Sequence, residues 1–105
     1  MMKLNDLKRG HYYVYRSFLS DTLFKYNSYS IGKFINFETG VTISTCKIFF
    51  SKGVKRLFGL LYNPEDFSLD IEIQHQSDEI QEIFPITVKE YYKMIRKYNY
   101  ESKKS

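Results

Sequence analysis

The sequence is poor in the residues that cross-link or interrupt a small fold. It has one cysteine, two prolines and no tryptophan. A single cysteine excludes an intramolecular disulfide framework and a zinc site built from cysteines, and it favours a reducing cytosol over a secreted scaffold. No apolar run approaches the roughly 18 residues of a membrane span, and the first residues lack the apolar core of a signal peptide. We therefore expect a soluble, cytoplasmic protein without a membrane partner.

Alanine is absent as well, while Lys, Ile, Tyr, Phe, Asn and Ser are abundant. We interpret this bias as the imprint of A/T-rich coding, which indicates a low-GC bacterium or its phages. With 105 residues, of which 43% are apolar and 27% charged, the chain has the size and composition of one folded domain. We expect that domain to cover residues 1–100 and residues 101–105 to form a frayed tail.

The residue order predicts a mostly β protein. Ile, Val, Tyr and Phe, which suit a pleated and half-buried surface, make up 33 of the 105 residues. The predicted strands are Tyr12–Phe18, Leu23–Tyr29, Lys33–Phe37, Val41–Phe50, Val54–Leu61, Leu69–Gln74 and Ile80–Phe84, the last ended by Pro85. The predicted turns are Ser20-Asp21, Glu38-Thr39-Gly40, Ser51-Lys52-Gly53 and Gln76-Ser77-Asp78. Leu4 and Leu7, in a short turn before the first strand, are expected to plug one end of the core.

The last part of the chain predicts one helix. Thr87 and Glu90 have the spacing of a capping box, and a helix from Val88 to about Asn99 should follow. Its expected apolar stripe consists of Val88, Tyr91, Tyr92, Ile95 and Tyr98. The fold class is therefore α+β and mostly β: a small, strongly bent antiparallel sheet or an SH3-like or OB-like barrel with one C-terminal α-helix.

Charge is segregated along the chain. The balance is +7 up to Leu61, −7 from Tyr62 to Ile86 and +4 from Thr87 onward. One interpretation is that the acidic stretch neutralises basic hairpins that lie beside it in the fold. The other is that one face is basic and binds phosphate or an acidic surface, while the acidic strip binds a different partner. The acidic strip, as a protein-binding candidate, comprises Glu65, Asp66, Asp70, Glu72, Asp78, Glu79 and Glu82.

Basic and aromatic residues also interleave. Single-stranded nucleic acids use this pairing, because rings stack on bases while cations follow the backbone. The nucleic-acid-binding candidates are Arg16, Lys25, Tyr29, Lys33, Lys47, Phe50, Lys52, Lys55 and Arg56. The alternative is that the rings form the core and the lysines form the wet face of the strands.

Residues for catalysis are few. His11 and His75 have no metal-ligand spacing, and His75 is expected to be a core histidine at a strand end. Cys46 is expected to be a small buried hydrophobe. Asp70 and Glu72 share a strand face but are expected to be solvated carboxylates. We find no phosphate-binding loop, dinucleotide-binding glycine motif or zinc-protease motif, so we expect no catalytic residues, metal or cofactor.

Both ends of the sequence resemble known chains. The opening Leu4–Val14, with the phrase LKRGHYYV, and the closing Ile83–Glu90, with an isoleucine, a Thr-x-x-Glu cap and a short helix, are similar to small uncharacterised phage and prophage proteins. The resemblance covers about 20 residues and implies an accessory protein of a phage or mobile element.

Three functional hypotheses follow. The leading one is a non-enzymatic, stoichiometric inhibitor of a bacterial defence or nucleic-acid-handling effector, comparable to anti-CRISPR counter-defence, whose acidic strip binds a basic channel of the host protein. The alternative is a nucleic-acid or nucleotide-binding module, including one that sequesters a nucleotide signal. The third is a virion or morphogenesis component. We expect a monomer or small homo-oligomer in the cytoplasm of the bacterial host.

Overall fold

The computed structural model describes residues 2–73, 79–80 and 82–104. A 3-10 turn lies at Leu4–Asp6, between the first two strands. The other elements, in chain order, are β1 Met2–Lys3, β2 Tyr12–Arg16, β3 Ser20–Ile35, β4 Thr42–Leu57, β5 Leu60–Tyr62, β6 Ser68–Ile73, β7 Glu79–Ile80, β8 Ile83–Ile86 and α1 Val88–Lys104. The turn predicted at residues 76–78 and the predicted core position of His75 lie outside the described residues.

One bent antiparallel sheet forms most of the molecule. Its strand order is β5-β4-β3-β2-β8, and β6 pairs with the first half of β4, on the edge that β5 occupies further along. A separate two-stranded ribbon joins β1 to β7. The predicted class, a mostly β fold with an antiparallel sheet and one C-terminal helix, is confirmed, and the form is the bent open sheet rather than a closed barrel.

The sheet is built on one long hairpin. β3 and β4 have 16 residues each, so the predicted strands Leu23–Tyr29 and Lys33–Phe37 are parts of one strand, and Val41–Phe50 continues directly into Val54–Leu57. The breaks predicted within these two strands are wrong. The pairing register shifts around Tyr26, so that Asn27 on β3 and Ser51 on β4 have no opposite residue. These bulges bend the hairpin without ending either strand. The turn predicted at Glu38-Thr39-Gly40 is confirmed, with Gly40 at a φ of 71°.

Gly53 explains why the turn predicted at Ser51-Lys52-Gly53 is wrong. It lies within β4 opposite Phe24. A Cβ atom at this position would lie 2.7 Å from the Leu23 carbonyl oxygen and 2.8 Å from the Phe50 ring. The glycine therefore permits a close backbone approach at the bend, and it does not reverse the chain.

Three further boundaries differ from the prediction. β2 ends at Arg16, so the chain reverses before Ser20 rather than at Ser20-Asp21. A two-residue turn at Phe58-Gly59, with φ values of 50° and 79°, divides the predicted strand Val54–Leu61. Pro85 lies inside β8 because β8 is an edge strand, where the missing N–H disrupts no inner ladder.

The two faces of the sheet carry separate cores. The face away from α1 carries the larger core, which consists of Leu4, Leu7, Tyr13, Phe24, Tyr26, Cys46, Ile48, Phe50, Ile71, Ile80 and Ile83. The predicted core positions of Leu4 and Leu7 are thereby confirmed. The opposite face packs against α1 through Tyr12, Val14, Leu23, Tyr91 and Tyr98. The helix therefore packs against one face of the sheet, and the larger core lies on the other face.

The helix begins as predicted and ends later. The Glu90 N–H donates to the Thr87 hydroxyl (3.0 Å) and the Thr87 N–H donates to the Glu90 carboxylate (3.1 Å), which confirms the capping box. The helix continues to Lys104, so the frayed tail predicted for residues 101–105 is wrong as far as Lys104. Of the predicted stripe, Val88 and Tyr92 are 51% and 42% exposed, whereas Tyr91 and Tyr98 are buried.

Candidate functional site

The predicted nucleic-acid-binding residues do not form one patch. The strand register places Arg16, Lys25, Lys52 and Arg56 on the face that α1 covers, and Tyr29, Lys33 and Lys55 on the face away from α1. Lys47 is opposite Asp70 of β6. Phe50 is only 4% exposed and belongs to the core, so its prediction as a base-stacking residue is wrong.

Arg56 contacts side chains in the last turns of the helix. Its Nη2 atom lies 2.8 Å from Glu101 Oε2, and its guanidinium lies 4.5 Å from the centroid of the Tyr98 ring. The Tyr98 hydroxyl in turn donates to Asp21 (3.1 Å), and burial with the neighbouring Asp21 raises the pKa of Tyr98. This network joins β3, β4 and α1, which gives Arg56 a structural role.

Lys52 contacts tyrosine side chains near the other end of the helix. Its ammonium nitrogen lies 5.1, 5.4 and 5.8 Å from the ring centroids of Tyr92, Tyr12 and Tyr91. It also donates a 2.7 Å hydrogen bond to the Tyr92 hydroxyl, which raises the pKa of Lys52 and lowers the pKa of Tyr92. Lys25, directly opposite on β3, lies 5.9 Å from the Tyr12 centroid. Lys52 and Lys25 therefore interact with aromatic rings of the protein itself.

Arg16 lies in a different setting. It lines an open groove of about 560 Å³ between β2 and α1, together with Glu90, Lys93, Met94 and Lys97. Three cations thus surround the groove, against the single carboxylate of Glu90. That carboxylate accepts the Thr87 N–H in the capping box, which lowers its pKa. The groove, defined by these five residues, is therefore cationic with an apolar thioether on its wall.

An exposed ring lies on the same side of the sheet. Phe84 is 48% exposed and is the direct partner of Val14 on β2. Because side chains alternate along a strand, Phe84, Val14 and Arg16 share the helix-bearing face. Phe84 and Arg16 are therefore diagonal neighbours on the helix-bearing face of the sheet.

Sequence reasoning missed three residues of this neighbourhood, namely Phe84, Lys93 and Lys97. Their signal in the sequence is the four-residue spacing of the two lysines, which places them on one helix face. Only the position of α1 against β2 brings these lysines to Arg16.

The acidic strip is divided as well. Glu65 and Asp66 are exposed in the loop between β5 and β6, and Glu82 is exposed before β8. Asp70 has a carboxylate oxygen 4.0 Å from the Lys47 ammonium, which favours internal neutralisation at this point. Glu72 lies on β6 and Glu79 on β7. Asp78 lies outside the described residues.

The remaining residues considered for catalysis or metal binding are Cys46 and His11. Cys46 is 0% exposed, and burial raises the pKa of its thiol to about 11. His11 is exposed directly before β2. Among residues 2–73, 79–80 and 82–104, no group of three His, Cys, Asp or Glu side chains is placed to hold a metal ion.

Comparison with protein-family models, curated proteins and solved structures found no match to this chain. Within the described residues, no helix has the length and apolar character to cross a membrane.

Proposed function

We propose that the protein binds a phosphate-bearing polymer, of the class of single-stranded nucleic acids, through the groove between β2 and α1. The observation that carries the proposal is the convergence of Arg16, Lys93 and Lys97 on one groove. Two elements distant in sequence supply these cations.

Charge favours a phosphate ligand in this groove. Each of the three cations is able to neutralise one phosphate and release its counterions. Arg16 presents a planar donor fork that suits phosphate oxygens, while Lys93 and Lys97 act as point charges one helical turn apart. The opposing Glu90 carboxylate is held at the helix N-terminus by Thr87, which limits its effect on a ligand.

An exposed ring favours a single strand over a duplex. Phe84 lies diagonal to Arg16 on the sheet and is 48% exposed, so a ring face is available to an unpaired base. Stacking of one base on an aromatic side chain contributes about 1–3 kcal/mol and requires an unstacked base. A duplex offers its phosphates to the lysines but no free base to Phe84.

The test is fluorescence anisotropy with labelled single-stranded and duplex oligonucleotides of equal length. The expected result is tighter binding of the single strand, with about tenfold weaker binding for the double variant Lys93→Gln/Lys97→Gln and a comparable loss for Phe84→Ala. The matched control is Lys33→Gln/Lys47→Gln, which removes the same charge from the β3–β4 hairpin. Equal weakening in both double variants would mean diffuse attraction and would contradict a site in the groove.

A second candidate, supported by a different observation, is stoichiometric inhibition of a bacterial effector protein. Phe18 and Phe58 are 98% and 70% exposed at neighbouring turns, where the Phe58 N–H donates to the Leu19 carbonyl. Phe58 also has a φ of 50°, a strained value for a phenylalanine. Exposed aromatic rings on held turns are typical of protein interfaces, and the exposed carboxylates Glu65 and Asp66 suit a basic partner.

This candidate requires a host protein that is recovered independently of nucleic acid. The experiment is affinity capture from a low-GC bacterial lysate with and without nuclease, using the wild-type protein, Phe18→Ser/Phe58→Ser and Glu65→Lys/Asp66→Lys. The inhibitor hypothesis predicts one dominant protein that survives nuclease and is lost with either variant. Recovery that disappears with nuclease supports the groove instead. The third hypothesis, a virion or morphogenesis component, predicts a homo-oligomer in a solution mass measurement.

A further inference from the structure

The long hairpin leaves one edge of the sheet open. β2 pairs with β3 as far as Lys25, and the Tyr26 N–H donates to the His11 carbonyl directly beyond this pairing. From residue 28 to residue 35, β3 pairs with β4 on one side, and no strand of the described chain pairs with its other side. Every residue from 28 to 33 is exposed. We refer to the unpaired side of residues 28–35 as the free edge of β3.

Other edge strands of this sheet are protected against a further strand. β5 has only three residues, β8 contains Pro85, and β6 carries Asp70 and Glu72. Short strands, proline and charge are devices by which natural proteins prevent a sheet edge from pairing with another chain. The free edge of β3 is eight residues long, with no proline and with one charged residue, Lys33. It is therefore the edge of the described sheet that is best able to accept a further strand.

An apolar row of the core extends to the free edge. Ile71 of β6 is the direct partner of Cys46 on β4, and Cys46 is the direct partner of Ile31 on β3. Directly paired residues of neighbouring strands point to the same face, so these three side chains form one row. Ile71 and Cys46 are 5% and 0% exposed, whereas Ile31 at the end of the row is 53% exposed. A strand added at the free edge would place a side chain beside Ile31 and remove part of its apolar surface from water.

Charge indicates which kind of strand the free edge accepts. Lys33 lies two residues beyond Ile31, and therefore on the same face of the sheet. The hairpin already binds a strand of complementary charge on its opposite side, because β6 alternates apolar residues with carboxylates and Asp70 lies 4.0 Å from the Lys47 ammonium. Residues 28–35 contain no carboxylate, so a second copy of this edge would offer Lys33 only a like charge. The free edge therefore favours an acidic strand over a second copy of β3.

We propose that the free edge of β3 binds an extended acidic segment of a partner protein, which joins the sheet as a further strand. Backbone hydrogen bonds to residues 28–35 supply the affinity that does not depend on sequence. Apolar side chains of the segment lie beside Tyr29 and Ile31, and a carboxylate lies beside Lys33, so the alternation of apolar and acidic residues gives the specificity. None of these residues belongs to the groove between β2 and α1, so this interaction and nucleic-acid binding succeed or fail independently.

The test uses two labelled synthetic peptides of equal length in fluorescence anisotropy, one that alternates Val with Glu and one that alternates Val with Lys. The wild type should bind the Val/Glu peptide saturably and about tenfold more tightly than the Val/Lys peptide. Hydrogen exchange measured by NMR should show that the bound peptide protects the N–H groups of alternate residues within 28–35, because every second N–H of a strand points to the same edge. Absence of saturable binding of the Val/Glu peptide, or binding that leaves these N–H groups unprotected, would overturn the proposal.

A charge reversal locates the binding at the free edge. Lys33→Glu should weaken binding of the Val/Glu peptide about tenfold and strengthen binding of the Val/Lys peptide, because it exchanges the sign of the cross-strand charge pair. The matched control is Lys89→Glu, the same change of charge on α1, which should leave both affinities nearly unchanged. Both lysines are exposed, so both variants should fold. Equal effects of the two variants would mean diffuse attraction and would overturn the assignment to the free edge.

Discussion

Lys52 donates a 2.7 Å hydrogen bond to the Tyr92 hydroxyl and thereby joins the bend of β4 to the first turns of α1. Lys52 is paired with Lys25 on β3, so two like charges lie side by side in this part of the sheet. The rings of Tyr91 and Tyr92 on α1 lie close to the Lys52 ammonium group and offset this repulsion. This contact orients the helix so that Lys93, the residue after Tyr92, lies at the groove with Arg16.

Removal of this contact should destabilise the fold modestly. Tyr92→Phe eliminates one exposed hydrogen bond to a charged group and should lower the free energy of unfolding slightly. Lys52→Met also eliminates the interaction with the rings and should lower it further. Urea unfolding measures both changes. Tyr62→Phe, a similar change at an exposed tyrosine on β5, is the control and should have no effect; an equal loss there would contradict the assignment.

Gly53 should be the glycine least tolerant of a side chain within the hairpin. Gly53→Ala brings a Cβ atom within 3.0 Å of the Leu23 carbonyl oxygen and the Phe50 ring, and the backbone contact does not yield easily. We expect a loss of about 2–3 kcal/mol in chemical denaturation. Gly32→Ala, in the same hairpin with its nearest contact at 3.8 Å, should be neutral. A harmless Gly53→Ala would show that the strands are not continuous through the bend.

Cys46 should make stability fall in alkaline solution. Burial raises the pKa of its thiol from 9.0 to about 11, so between these values the unfolded chain loses a proton that the folded chain retains. The stabilising effect is complete below pH 9 and is lost as the pH rises towards 11, by about 1.4 kcal/mol per pH unit at most. The measurement is urea unfolding across this range for the wild type and Cys46→Val. The difference between the two should change with pH in this direction, and a constant difference would contradict a buried, protonated thiol.

The helix end should contribute measurably to stability. The Leu61 N–H donates to the Ser102 hydroxyl (3.0 Å), which donates to the Gly59 carbonyl (3.1 Å). Ser102→Ala leaves both backbone groups of the β4–β5 turn without this partner and should cost about 1 kcal/mol in thermal or urea unfolding. Lys103→Ala, at an exposed neighbouring position, should cost nothing. Equal stability of the two variants would mean that the helix end does not contribute to stability, as expected for the frayed tail that the sequence predicts.

Local patterns in the sequence predicted the parts of the fold that depend on local chemistry. The alternation of Leu69, Ile71 and Ile73 gave the correct face of β6, and Thr87 with Glu90 gave the correct helix start. The turn at Gly40 was predictable for the same reason, because a positive φ favours glycine locally.

The candidate site was less predictable because it depends on contacts between distant segments. Gly53 has the appearance of a turn residue until Leu23 and Phe50 are placed against it. The sequence does not distinguish Phe50 from Tyr29, because both are aromatic strand residues. The bend of the hairpin places Phe50 in the core. Lys93 acquires its neighbour Arg16 only through helix docking, which no periodicity in either segment reveals.

The salt dependence of oligonucleotide binding tests the central claim most directly. For a single strand, the slope of log Kobs against log salt concentration is about −0.7 for each phosphate neutralised. Three contacts from Arg16, Lys93 and Lys97 predict a slope of about −2 for the wild type, about −0.7 for Lys93→Gln/Lys97→Gln, and no change for Lys33→Gln/Lys47→Gln. A slope that both double variants reduce equally, or binding that does not weaken as salt rises, would contradict a phosphate-binding groove between β2 and α1.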